Sequence, residues 1–221
     1  VYVPEHFAAD DAVVRELLDG LRAADLVTVT DAGLVATYLP LLHDPDTGPH
    51  GSLVGHLARN NDQWRREPRG QALVIARGPD AYVSPSSYAS KAEHGRVVPT
   101  WNYVTVHAYG RLVVHDDPLW VEALVRRLTD HHERGRDRPW SVDDAPARFY
   151  AGQLRAIVGV ELVIERVEAK LKLSQNRPPA DIDGVVATLT AAGEVDSAAL
   201  VERFRPDRPD ASGASDEVSR A

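Results

Sequence analysis

Lysine recurs at Lys170 and Lys172 in the stretch KLKLSQNRP, and Ser174, Gln175 and Asn176 follow at once. In an extended chain, residues two apart share a face. Two ammonium groups and a hydroxyl therefore stand on one side of a strand, where they could meet a phosphate or a planar polar ring. Lysines on an edge strand also guard against edge-to-edge pairing, and the pattern alone leaves both readings open. A second polar run is GHLARNN, Gly55 to Asn61, at the point where a strand passes into a helix. Free N–H groups at a helix start attract anions. Arg59 adds charge there, and Asn60 and Asn61 add donors. An ordinary helix cap explains the same residues, and local pattern favours it. The third stretch is VVPTWNYVTVHAYGRLVV, Val97 to Val114. Val104, Val106, Ala108, Leu112 and Val114 fall on one parity. Trp101, Tyr103, Thr105, His107, Tyr109 and Arg111 fall on the other. The first is a core face. The second carries large rings that leave apolar area uncovered unless a second subunit, a flat ligand or packed helices lie on it.

Other chemistry is disfavoured. Nine histidines show no metalloprotease spacing, and adjacent His131 and His132 do not share a helix face. No metal site is expected. Cysteine is absent, which removes disulfides, thiolate zinc sites and thiol nucleophiles. No glycine-rich phosphate loop follows a strand, and the serines of GPDAYVSPSSY lack a nucleophile-elbow pattern.

The elements that must position these residues can be read from periodicity. DDAVVRELLDGLRAAD has apolar residues at helical spacing. LVTVT and LVATYLPLL flank Asp31-Ala32-Gly33 as a hairpin. SLVGHL is a short strand, ARNNDQWRREP a short polar helix, and QALVIA a central strand. RGPDAYVSPSSY reads as turn, short strand and turn. Asp117-Pro118 caps a helix whose buried stripe is Trp120, Leu124, Val125 and Leu128. Pro146 opens another helix reaching Leu154. AIVGVELVIERVEAKLKLS is a long strand whose end places Ala169, Leu171 and Leu173 on one side. DIDGVVATLTAAG and DSAALVERF are short helices. The strands outnumber what a doubly wound fold would interleave with helices. The fold class is therefore α+β: a mainly antiparallel, closed or split β-barrel decorated with helices. Residues 1–204 form one domain, and 205–221 is a disordered tail with almost nothing to bury.

The 221 residues are 43% apolar, enough for a real core. No apolar run has transmembrane length and no signal-peptide pattern opens the sequence, so a cytoplasmic protein without membrane partners is expected. The formal charge of −8 disfavours nucleic acid as a partner. Between Arg126 and Arg138, five arginines stand against three acids, a local net of +2. A solvated helix end is the simpler account of them.

VYVPEHF, TYLPLL, GHLARNNDQW, GPDAYVSPSSY, VPTWNYVTVHAYGRL and IVGVELVIERVEAKLKLSQNRP occur in this order. Together they resemble the PaiB-type family of FMN-binding negative transcriptional regulators, over roughly residues 1–190. The resemblance implies a split barrel similar to the pyridoxamine-phosphate oxidase and flavin-reductase group. It implies a homodimer with FMN at the subunit interface. It brings His56, Arg59 and Asn60 to the FMN phosphate and ribityl chain, and Thr100, Trp101 and Asn102 near the flavin. It brings Lys172, Gln175 and Asn176 of KLSQN to the same site, from the other subunit. Leu171 departs from the family pattern, which commonly has tryptophan between the two lysines. The function implied is regulation of transcription without an evident helix-turn-helix. The alternatives are an FMN-dependent oxidoreductase acting on a small molecule and a dimeric scaffold without flavin.

Overall fold

Alternation and turn chemistry build the sheet. In the computed structural model, which describes residues 1–206, a helix α1 (Asp11–Asp19) precedes the hairpin of β1 (Ala23–Thr30) and β2 (Gly33–Asp44). Asp10 caps α1, its carboxylate accepting from Val13 N at 2.8 Å. The hairpin closes through Asp31 and Ala32, with Thr30 opposite Gly33. Gly33 has φ of 103°, a backbone region closed to most side chains. Strand β3 (Ser52–Ala58) follows, then β4 (Ala72–Val83), helix α2 (Ser90–His94), β5 (Thr100–His115), α3 (Pro118–Glu133), α4 (Ala147–Leu154), β6 (Ile157–Lys172), α5 (Pro179–Ala191) and α6 (Val195–Arg203). The strands neighbour one another in the order β1-β2-β3-β6-β5-β4 and close into a barrel, with β1–β2, β1–β4, β2–β3 and β3–β6 paired antiparallel. The tail expected from Arg205 lies outside the described residues from position 207 on.

The chain forms two compact units. The first contains Ala9–Arg77 and Thr105–Ala169. Its core gathers Leu18, Leu26, Leu41, Leu53, Leu57, Val74, Val106, Leu162 and Ile164. On the other face of β3, Val54 packs with Leu42, Leu124, Leu128 and Trp120, so α3 covers that side. Asp117 caps α3 as its sequence requires, accepting from Leu119 N at 3.0 Å. The second unit contains Tyr2–Ala8, Gly78–Val104 and the described residues from Lys170. There α5 and α6 pack together, and Asp181, almost fully buried, accepts from Ser90 N and Oγ at 2.9 and 2.7 Å.

Two local expectations give way to tertiary structure. ARNNDQWRREP forms only a four-residue 3-10 turn, Asp62–Arg65. Asn61 caps it by accepting from Gln63 N, and Trp64 Nε1 folds back onto the Arg59 carbonyl at 3.0 Å. The residue before Pro68 resists helical geometry, which stops it early. RGPDAYV does not turn: it continues β4 to Val83, and a Cβ at Gly78 would stand 3.0 Å from Val104 Cβ. The parity of β6 switches in mid-strand. Val158, Val160, Leu162 and Ile164 point to the interior, Glu165 and Arg166 are both exposed, and thereafter Ala169 and Leu171 are buried. Two exposed residues in succession reset the alternation as a bulge does.

Gln63 ties the first unit together. Its side chain is buried, and Nε2 lies 3.1 Å from both the Leu26 carbonyl and Thr28 Oγ1 and 3.3 Å from the Val35 carbonyl. Gln63→Leu should leave these acceptors without a donor and cost about 1–3 kcal/mol, read as a lower urea midpoint with unchanged slope.

Candidate functional site

In the second unit, the alternation of β6 places Leu171 and Leu173 in the interior at 2% exposure and turns Lys170 and Lys172 the other way. Lys172 Nζ donates to Thr100 Oγ1 and, at 2.6 Å, to the Trp101 carbonyl. The motif residues Thr100, Trp101 and Lys172 are thus brought together by the pairing of the two strand ends. Asn102 is buried, and its Nδ2 donates to Ser174 Oγ at 3.1 Å. Ser174 holds φ of 68°, a left-handed backbone that costs a non-glycine residue energy and turns the chain out of β6. Gln175 secures that turn from within: its Oε1 accepts from Leu173 N and its Nε2 donates to the Leu171 carbonyl, both at 2.7 Å. Asn176 is exposed beside it.

Lys170 is only 8% exposed, and its ammonium faces three aromatic rings, Tyr103 at 5.6 Å, Tyr2 at 5.7 Å and Phe7 at 6.0 Å. Phe7 also lies 6.0 Å from Lys172 Nζ. Arg177 lies over the Tyr88 ring at 4.4 Å. Among the described residues, no carboxylate forms a salt bridge with Lys170, Lys172 or Arg177. Burial lowers the Lys172 pKa, and the charges of Lys170 and Arg177 lower it further. Trp101 stands at the edge of this cluster, 54% exposed, with Tyr82 edge-on at 6.1 Å. The result is a cluster of cations without a carboxylate partner among the described residues, beside an exposed aromatic pair. It suits an anionic group joined to a flat ring. The contribution of Tyr2 and Phe7 has no signal in local sequence, because rings distant along the chain converge on one lysine.

In the first unit, His56 shares with Val54 the side of β3 that α3 covers, and burial lowers its pKa. His56 Nδ1 has no partner among the described residues. Arg59 is heavily engaged. It donates from Nη1 and Nη2 to Asp116 at 3.1 and 2.6 Å, from Nε to the Arg155 carbonyl at 2.7 Å, and from Nη2 to the Ile157 carbonyl at 3.0 Å. The bond from Arg59 holds the Asp116 carboxyl below the usual carboxylate range. Asn60 is exposed. The chain here passes from β3 into a capped 3-10 turn, so there is no α-helix terminus at GHLARNN.

The remaining face of β5 is divided in use. Thr105 Oγ1 donates to the Ala76 carbonyl at 3.1 Å, and Arg166 lies 3.7 Å over the Tyr109 ring. Near the end of β5 the expected parity lapses: Val114 is exposed, and His115 stacks on Trp120 at 3.9 Å while bonding Glu161 at 2.8 Å. Among the described residues, no group of three His, Asp or Glu side chains could hold a metal ion, and no helix is long and apolar enough to cross a membrane.

Comparison with known proteins fits this geometry. Residues 1–166 match the family described as "Putative FMN-binding domain". The chain is 32% identical over 191 residues to "Protease synthase and sporulation protein PAI 2" of Bacillus subtilis, covering 86% of this chain and 89% of that one. A protein of Aspergillus fumigatus is 31% identical, covering 84% and 87%. Among solved structures, the flavocytochrome Anf3 of Azotobacter vinelandii aligns with a TM-score of 0.55 at 16% identity, over 77% of this chain and 72% of that one. The FAD and heme binding protein of Mycobacterium smegmatis aligns with a TM-score of 0.55 at 19% identity, over 76% and 74%. These two likenesses are of fold.

Proposed function

Since the chain belongs to the FMN-binding domain family of the PaiB type, we propose that it is an FMN-binding, homodimeric regulatory protein. The observation that carries this reading is the cationic cluster of Lys170, Lys172 and Arg177, which has no carboxylate partner among the described residues and lies beside Trp101. Unpaired buried charge is costly, and a bound phosphate would relieve it. In this reading the lysines hold the phosphate or the polar edge of the flavin. Thr100, Asn102, Gln175 and Asn176 fix the walls, and Trp101 covers the ring. His56 and Asn60 belong to the proposed set, and Arg59 enters as a positioning residue that clamps the end of β3. When bound, FMN supplies redox chemistry, and the protein's part is to orient and tune it.

A second copy has a surface to take. On the outer side of the β1–β2 hairpin, Val29 pairs with Leu34, Val27 with Ala36, Asp25 with Tyr38 and Ala23 with Pro40. Leu34 is 75% exposed and Tyr38 70%. A sheet face that is apolar apart from Asp25 suits association with a second copy.

The regulatory part rests on the Bacillus relative, named for protease synthesis and sporulation. Direct reading of DNA fits poorly. The α5–α6 connection is a three-residue turn, as in helix-turn-helix units. Yet the exposed positions of α6 include Asp196 and Glu202 against Arg203, a poor match for phosphate.

The test is titration of the flavin-free protein with FMN, followed by flavin fluorescence, alongside sedimentation. Saturable quenching at one FMN per chain and a dimer mass are expected. Leu34→Glu with Tyr38→Lys should yield a folded monomer. Unchanged FMN fluorescence at every protein concentration would end the flavin reading, and a monomeric parent would end the dimer.

A further inference from the structure

Helix α4 has no fully buried side chain. Beside it, in the first unit, lies a cavity of about 300 Å³ whose wall includes Arg59, the residue that clamps the end of β3. Its walls are mainly apolar: Pro118, Leu119 and Val121 from α3, and Ala151 and Leu154 from α4. At liquid density a space of that size holds about ten waters, or a molecule of about ten non-hydrogen atoms. Apolar pockets with a few polar groups at one end are the usual form of small-molecule sites.

The charges around it select the ligand. Asp116 is bound bidentately by Arg59, and Glu122 accepts from Arg126 at 3.1 Å. Both acids on the wall therefore have an arginine partner, Arg126 being shared with Asp143. Arg155, also on the wall, has its carbonyl held by Arg59, but its guanidinium pairs with no carboxylate among the described residues. The unmatched charge is one cation at the edge of an apolar chamber. Guanidinium favours carboxylate.

We infer that this cavity binds a small apolar monocarboxylate, an aromatic or branched acid of about ten to twelve non-hydrogen atoms, with its carboxylate on Arg155 and its body between α3 and α4. This ligand is distinct from the flavin. In a regulatory protein it would serve to sense an organic acid, and α4, anchored by no buried residue, can shift to admit it without opening the core.

Isothermal titration with 3-phenylpropionate tests this, with 3-phenylpropionamide as its neutral isostere. The acid should bind once per chain below about 1 mM, and the amide at least about tenfold more weakly. Arg155→Gln should bring the acid down to the affinity of the amide. Ala151→Trp, a substitution at an exposed position on the cavity wall, should abolish acid binding, and FMN titration should be unchanged in both variants. Amide resonances that move on adding the acid should lie in 116–122 and 151–155. Absence of acid binding, equal affinity for acid and amide, binding that survives Ala151→Trp, or shifts confined to other segments would each overturn the inference. A changed FMN constant in Ala151→Trp would place flavin in this cavity and overturn it too. If FMN fails to bind while the acid still does, the flavin proposal falls and this one stands.

Discussion

Lys172→Met is expected to weaken FMN binding by about 100-fold, on the order of one charge-assisted hydrogen bond lost in a partly desolvated site. The fold should lose no more than about 1 kcal/mol. Its bonds to Thr100 and the Trp101 carbonyl are lost, but so is the cost of holding an ammonium near Lys170 and Arg177. The pH dependence supplies a second signature. Burial, with those two neighbouring charges, depresses the Lys172 pKa below the ordinary 10.5. Between the depressed value and 10.5 the unfolded chain binds more protons than the folded one. From this group, the stability of the flavin-free protein therefore rises with pH through that window. FMN affinity moves the opposite way there, because the ammonium that meets the anion is being lost. In Lys172→Met both slopes should flatten. An unchanged FMN constant in a folded variant would remove Lys172 from the site.

Gly110→Ala should be the most damaging single substitution in the sheet. A Cβ at Gly110 would stand 1.9 Å from the Val163 carbonyl oxygen, a backbone atom with nowhere to go. More than about 3 kcal/mol should be lost, the upper range for overpacking. Gly159 offers the contrast. A Cβ there would meet the Trp120 ring at 2.1 Å, and a side chain can be removed. Gly159→Ala should therefore destabilise strongly in the parent, yet add almost nothing when Trp120→Ala is already present. Urea unfolding of the four variants gives both results. A Gly110→Ala protein as stable as the parent would mean that β5 and β6 are not paired as described.

The β5 and β6 faces were legible because alternation is a local signal. Val104, Val106 and Ala108 are buried as expected, and so are Ala169, Leu171 and Leu173. The hairpin at Asp31-Ala32 was legible from its turn chemistry. The helix after GHLARNN was not, since Gln63 and Trp64 make their bonds to strands and carbonyls rather than to the next turn. The continuity of β4 was hidden by Gly78-Pro79, which reads as a turn wherever no neighbour strand holds it straight. At the candidate site, the lysines and the Thr100–Asn102 corner could be named from motif alone. The rings around Lys170 could not, because Tyr2, Phe7 and Tyr103 meet only in three dimensions. Leu171, the departure from the family pattern, faces the interior, opposite the lysines. Its smaller side chain bears on packing behind the strand.

The paired exposed residues Glu165 and Arg166 make spacing itself a determinant of recognition. Everything downstream inherits its inside or outside assignment from where that reset occurs. Losing or gaining one residue between Ile164 and Ala169 would exchange leucines for ammonium groups along the whole motif, leaving every letter of KLKLSQN intact. Homologues that keep those letters but differ in length over this short interval should therefore be sorted by count as well as by identity before a flavin is assigned to them.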